Sequence, residues 1–216
     1  MTCPLCRLSR AFLPLVGIVG LVAALAFHAP QAPSKKPSEP AMTGSSQPSV
    51  FVVDDVHSMA LFRVQHMGAG KFWGRFNDVS GEVKYEEGKS ISFNISIDVS
   101  SVDSGNSKLD AHLKSPDFFN AVEFPKMSFK STSANTLGGD RFDVSGELSM
   151  HGVTKQVSVT IEASRIATMG GKTRAGFEGT FEIKRSDYGM TYGVEQGSIG
   201  DQVRIIIAIE AIAASS

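Results

Sequence analysis

From Val50 onward, apolar and polar residues alternate one by one through most of the chain, the period of a strand with one face buried and the other in water. Ser58, Ala60, Phe62, Val64 and His66 share one face of a first strand, and Met59, Leu61, Arg63 and Gln65 share the other. Met67-Gly68-Ala69-Gly70 ends it. A second strand, Phe72 to Tyr85, is interrupted at Gly74 and Gly81, which predicts bends or bulges there. The third is the cleanest: Ile91, Phe93, Ile95, Ile97 and Val99 point one way, with Ser92, Asn94, Ser96, Asp98 and Ser100 between them. A fourth opens at Met127 and Phe129, a fifth spans Phe142 to Met150, and a sixth spans Val153 to Ile166. Ala175 to Ile183 makes a seventh, and Val203 to Ile212, apolar on nearly both faces, an eighth. Long alternating strands with short turns leave edges that only closure removes, so the pattern predicts an all-β fold, an eight-stranded antiparallel barrel. A barrel of that size is filled by side chains or holds one small ligand.

The alternation stops once, between Ser107 and Thr132. Leu109 and Leu113 stand at i, i+4, Asn106 or Ser107 can cap the start, and Pro116 follows the end, so one short helix is expected near the middle. Phe118, Phe119 and Phe124 then crowd an aperiodic, aromatic connection. Such a connection either buries against an open end of the barrel or lines whatever enters there.

The start of the chain is different. Arg7 and Arg10 precede an apolar run from Ala11 to Phe27, and Ala24-Leu25-Ala26 offers a small-x-small cleavage pattern. Residues 1–28 therefore read as an export signal that is either cleaved or kept as an inner-membrane anchor, with a periplasmic location for the rest. Residues 29–49, rich in Pro, Ser and Ala, read as a disordered linker, leaving 50–216 as the folded domain. Cys3 and Cys6 both precede the apolar run, so the exported part has no disulfide and stands on its core alone. The domain is mildly acidic, which excludes the basic footprint of a nucleic-acid binder.

Candidate chemistry is sparse. His57, His66, His112 and His151 sit on separate elements without metal-binding spacing, so no metal site is assigned. His151 reads as a turn residue and His112 as a capping or orienting group. No G-x-S-x-G is present. Arg185 and Asp187, two apart at a strand end, can pair with each other or hold a loop, and the arginine could bind a head group at a barrel mouth; the ion pair is the expected arrangement.

The residues then match a known family. Asp55, His57, Ser58, Phe62 and His66, Ser101-Val102-Asp103-Ser104-Gly105, and Asp110, His112, Leu113, Ser115, Asp117, Phe118 and Phe119 follow one another in its order. Pro125, Met127, Phe129 and Ser131 come next, then Gly146, Leu148, His151, Gly152, Val153 and Thr154. Arg185 to Met190 and Gly200, Asp201 and Val203 complete the pattern. From about Phe51 to Glu210 the chain resembles the YceI-like family of exported bacterial proteins. The resemblance implies a lipocalin-like barrel that binds a polyisoprenoid lipid, such as a quinone or polyprenyl phosphate, without catalysis and without a cofactor. Taking the more apolar face of each strand as inward, the lining would be Phe62, Val64, Phe76, Phe93, Ile95, Phe118, Phe119, Phe129, Phe177 and Phe181, with His57, His66 and Arg185 as possible head-group or mouth residues. Two alternatives stay open: an enzyme using His57, His66 or Asp187 on a barrel-bound lipid, and a filled barrel acting as a stress-response interaction module. Self-association into a homodimer is also open.

Overall fold

The computed structural model of the protein describes residues 49–214; the segment expected to be an export signal (1–28), and the expected linker as far as residue 48, lie outside them. The strands are β1 (Ser49–Val53), β2 (Met59–His66), β3 (Gly70–Phe76), β4 (Val79–Glu86), β5 (Ser90–Asp98), β6 (Val102–Asp103), β7 (Lys126–Gly138), β8 (Arg141–Met150), β9 (Val153–Ala163), β10 (Ala167–Met169), β11 (Lys172–Lys184) and β12 (Ile199–Ala213). One helix, α1 (Ser107–Leu113), lies between β6 and β7. Of the two expected cap candidates it is Asn106 that caps it, its side chain accepting from the amides of Lys108 and Leu109 at 3.1 Å each.

The eight expected strands are all present, three of them kinked. β1 and β2 form one long strand broken by a short 3-10 turn at Asp55–His57, and β3 and β4 another, broken at Asn77 and Asp78. β5 and β6 bend likewise around Val99–Ser101. The antiparallel order β11-β9-β8-β7-β5-β4-β1-β12 closes on itself through β11 and β12, in register from Arg174 opposite Ile212 to Lys184 opposite Gln202. The seam between β9 and β11 is shorter, pairing Thr160–Ala163 with Phe177–Thr180.

The bend expected at Gly74 falls instead at Asn77 and Asp78, because β3 keeps its register with β2 straight through Gly74. Gly74 has another use. It faces inward opposite Phe62, whose ring occupies the space a side chain there would take. Gly81 does need its own backbone: φ is 131°, and a side chain would run into the Asn94 carbonyl.

The two ends of the barrel are built differently. One end gathers the β2–β3 and β8–β9 turns, α1 with its aromatic connection, and the loop from Arg185 to Ser198. The other gathers the β4–β5 and β7–β8 turns and both ends of the domain, since Ser49 pairs with Tyr85 and the Ala214 amide donates to Val50 at 2.8 Å. At that second end Phe51, Tyr85 and Phe142 are fully buried. Tyr85 meets Phe177 at 5.2 Å and Phe142 at 6.1 Å between ring centroids, both edge to face.

Candidate ligand cavity

The first end is hollow. A cavity of about 480 Å³ fills the barrel between its open mouth and the aromatic plug, and neither Phe51, Tyr85 nor Phe142 reaches it. Alternation builds the wall: Ala60, Phe62 and Val64 of β2, and Phe93 and Ile95 of β5, are all buried and inward, with Arg63 and Gln65 of β2 and Ser92, Asn94 and Ser96 of β5 between them. Phe93 and Phe177, 5.6 Å apart, form the floor against the plug. Phe129 and Phe181 line the middle, and Phe62 and Phe76 line the upper wall.

The two phenylalanines of the aromatic connection divide the work. Phe119 turns into the barrel and meets Phe76 at 5.1 Å and Phe62 at 5.9 Å. Phe118 stays at the mouth, where it packs with His112 at 5.0 Å and Tyr192 at 5.2 Å. His112 Nε2 in turn meets Asp117 Oδ2 at 3.0 Å, which fixes the α1 end of this cluster. All ten residues expected to line the barrel therefore border one cavity. Of the three expected at its mouth, His66 and Arg185 border it as well.

His57 does not. It sits on the outer wall at the β1–β2 kink, where Asp54 Oδ2 meets its Nδ1 at 3.0 Å and holds it beside Glu210. The bend that joins β1 to β2 points this side chain away from the interior. Asp54 is held below the ordinary carboxylate range, chiefly by that histidine contact.

The expected Arg185–Asp187 pair is also absent. Arg185 is buried and turns its guanidinium onto four backbone carbonyls: Gly200 from Nε at 2.8 Å, Met190 from Nη1 at 2.9 Å, and Tyr192 and Ile199 from Nη2 at 2.7 and 2.9 Å. Desolvation lowers its pKa while nearby Asp201 opposes the shift. Asp187 instead stands 3.6 Å from Lys155. Asp201 takes the Ser186 amide and hydroxyl, each at 2.9 Å. A planar fork with five donors satisfies a loop of free carbonyls better than one carboxylate could, so Arg185 pins the 190–200 loop over the mouth.

Sequence reasoning missed Tyr192, which borders the cavity from a loop without period, and Ile205 and Ile207, which come from a strand apolar on both faces. It treated His112 as a capping or orienting group, not as one that borders the cavity. Among the described residues bordering the cavity there is no aspartate or glutamate; the titratable side chains are His66, His112, Arg185 and Tyr192, all at the mouth end. The chemistry of the site is an apolar tube with hydrogen-bonding groups confined to its opening.

A closed antiparallel barrel with one hollow, apolar half defines a class of small-molecule binding folds. The model of the YceI-like domain matches residues 51–211, and the chain belongs to that family. It is 35% identical over 178 residues to protein YceI of Salmonella arizonae, a match covering 79% of this chain and 90% of that one. Protein YceI of Salmonella paratyphi B matches equally well. Among solved structures, BcnA of Burkholderia cenocepacia superposes with a TM-score of 0.66 at 25% identity, over 74% of this chain and 99% of its own. A polyisoprenoid binding domain from Saccharophagus degradans shares the fold with a TM-score of 0.61 at 17% identity, over 78% of this chain and all of its own.

Proposed function

We propose that this protein binds a polyisoprenoid lipid, of the quinone or polyprenyl phosphate kind, with the tail in the hollow half of the barrel and the head at the mouth. It acts as a carrier or sequestering protein, exported to the periplasm by its N-terminal segment and held at the inner membrane where that segment is retained. The observation that carries this reading is the cavity itself: apolar along its length, plugged at one end and polar only at the other. Burying a methylene contributes roughly 0.8 kcal/mol, so a five-carbon unit in a dry tube contributes about 4 kcal/mol. Two or three such units offset the typical cost of ordering a ligand. Family membership and the polyisoprenoid-binding neighbour of the same fold support the same reading.

Among the described residues, the three groups considered for a catalytic role are not brought together. His57 is on the outer wall, Asp187 faces Lys155 outside the cavity, and His66 stands at the mouth without either of them. The test is native mass spectrometry of detergent-free protein purified from a bacterial envelope, with solvent extraction of any adduct. A stoichiometric adduct spaced in isoprene units is the expected result. A ligand-free mass that persists after incubation with quinones and polyprenyl phosphates would contradict the proposal.

A further inference from the structure

Met67 stands in a backbone conformation that methionine does not favour. The β2–β3 hairpin turns through Met67 at φ 49° and Gly68 at φ 65°, and the Ala69 amide closes it onto the His66 carbonyl at 3.1 Å. Positive φ at both central positions is the geometry that asparagine or aspartate followed by glycine adopts, because any larger side chain crowds its own backbone. Asn120 and His151 are the other described non-glycine residues with positive φ, and each has a local reason. Asparagine tolerates the conformation, while His151 is held by the Tyr188 carbonyl at 2.9 Å and packs on Phe124 at 4.8 Å.

Met67 has no side-chain hydrogen bond of that kind among the described residues. Its side chain is 65% exposed and borders the cavity. Tyr192, 46% exposed, borders the same mouth from the facing loop, and the two loops are joined where the Met67 amide donates to Ser198 at 2.7 Å. Val122, 95% exposed, projects from the aromatic connection at the same end. A soft, unbranched apolar group set at the lip of an apolar tube, against the preference of its own turn, points to selection for contact rather than for stability.

We propose that Met67, with Tyr192 and Val122, forms a lip by which the mouth end docks on a lipid bilayer surface. This rests on the reading of the barrel as a lipid binder, since an isoprenoid tail leaves a bilayer more readily into a tube whose rim already touches acyl chains. Apolar side chains entering the headgroup boundary supply the attachment, with no insertion of secondary structure.

The test is sedimentation of the purified protein with phosphatidylethanolamine/phosphatidylglycerol vesicles free of isoprenoids, alongside thermal melting. Met67→Asn is expected to raise the melting temperature, because asparagine fits the turn, and to weaken vesicle binding about tenfold. Met169→Asn makes the same chemical change on an 80% exposed methionine at the opposite end and is expected to leave vesicle binding unchanged. Unaltered vesicle binding by Met67→Asn, or an equal loss with Met169→Asn, would overturn the lip. A Met67-dependent dimer seen by light scattering without vesicles would overturn it too, by assigning the surface to a second copy. Lipid extraction from the wild-type protein separates the two claims: vesicle docking without any isoprenoid adduct would sink the functional reading and leave the lip standing.

Discussion

The two halves of the barrel are made by the same strands with the same alternation, yet one is solid and the other hollow. At the solid end, Phe51, Tyr85 and Phe142 converge ring on ring, and both ends of the domain are tied there by backbone pairing. At the hollow end the rings stand back against the wall, held there by the edge contacts of Phe119 with Phe62 and Phe76 and by glycines such as Gly146, whose missing side chain gives room to Phe129. Stability is thereby concentrated in one half, which lets the other forgo a filled core. The same division explains why Arg185 spends a buried cation on loop carbonyls: a loop over an empty space has little apolar packing to hold it.

Substitutions can break this division from either side. Phe142→Ala at the solid end should cost about 3–5 kcal/mol in chemical denaturation while leaving ligand stoichiometry intact below the melting transition. Ala60→Phe, which puts a ring into the hollow, should abolish ligand binding and change stability by no more than about 1 kcal/mol. If instead each substitution perturbs both properties equally, the halves are not separable. Arg185→Met strips four carbonyls of their donor and should cost about 3 kcal/mol, with the first loss of hydrogen-exchange protection in residues 190–200.

A smaller effect concerns acid. The Ser100 hydroxyl and amide and the Lys126 ammonium hold Asp98, near the mouth, at about 2 against an ordinary 3.8. A carboxylate with a depressed native pKa stabilises the fold fully above its unfolded value, and that contribution is lost as pH falls through the native one. Asp98→Asn should therefore be less stable than the parent by about 1 kcal/mol at neutral pH, allowing for partial exposure, and the gap should close between pH 3.8 and about 2. A gap that is constant with pH would assign the effect to packing instead.

Much of this was legible in the sequence wherever one residue in two carries the signal. Phe62, Val64, Phe93 and Ile95 could be placed inward because Arg63 and Asn94 beside them must face water. The Asn106 cap and the short helix were legible because capping is local. Where β12 is apolar on both faces, parity carries no information, and Ile205 and Ile207 went unassigned. For Arg185 the sequence offered a loop-holding role, but the nearby carboxylate of Asp187 was the preferred partner, because a loop whose carbonyls lack donors is not visible in the sequence. His57 was misread because a kink, not the strand period, sets its direction. Hollowness itself has no sequence signature, since a ring packed against a wall and a ring packed in a plug are the same residue.

The most direct test of a hollow, ligand-holding half is photo-crosslinking with a polyprenyl probe carrying a diazirine at its tail, mapped by peptide mass spectrometry. Labels on Phe93, Phe177, Ile207 or their neighbours, competed by unlabelled lipid and absent from Phe51, Tyr85 and Phe142, are the predicted result. Labels confined to outward residues such as Val52, Met59 and Ile206 would contradict it.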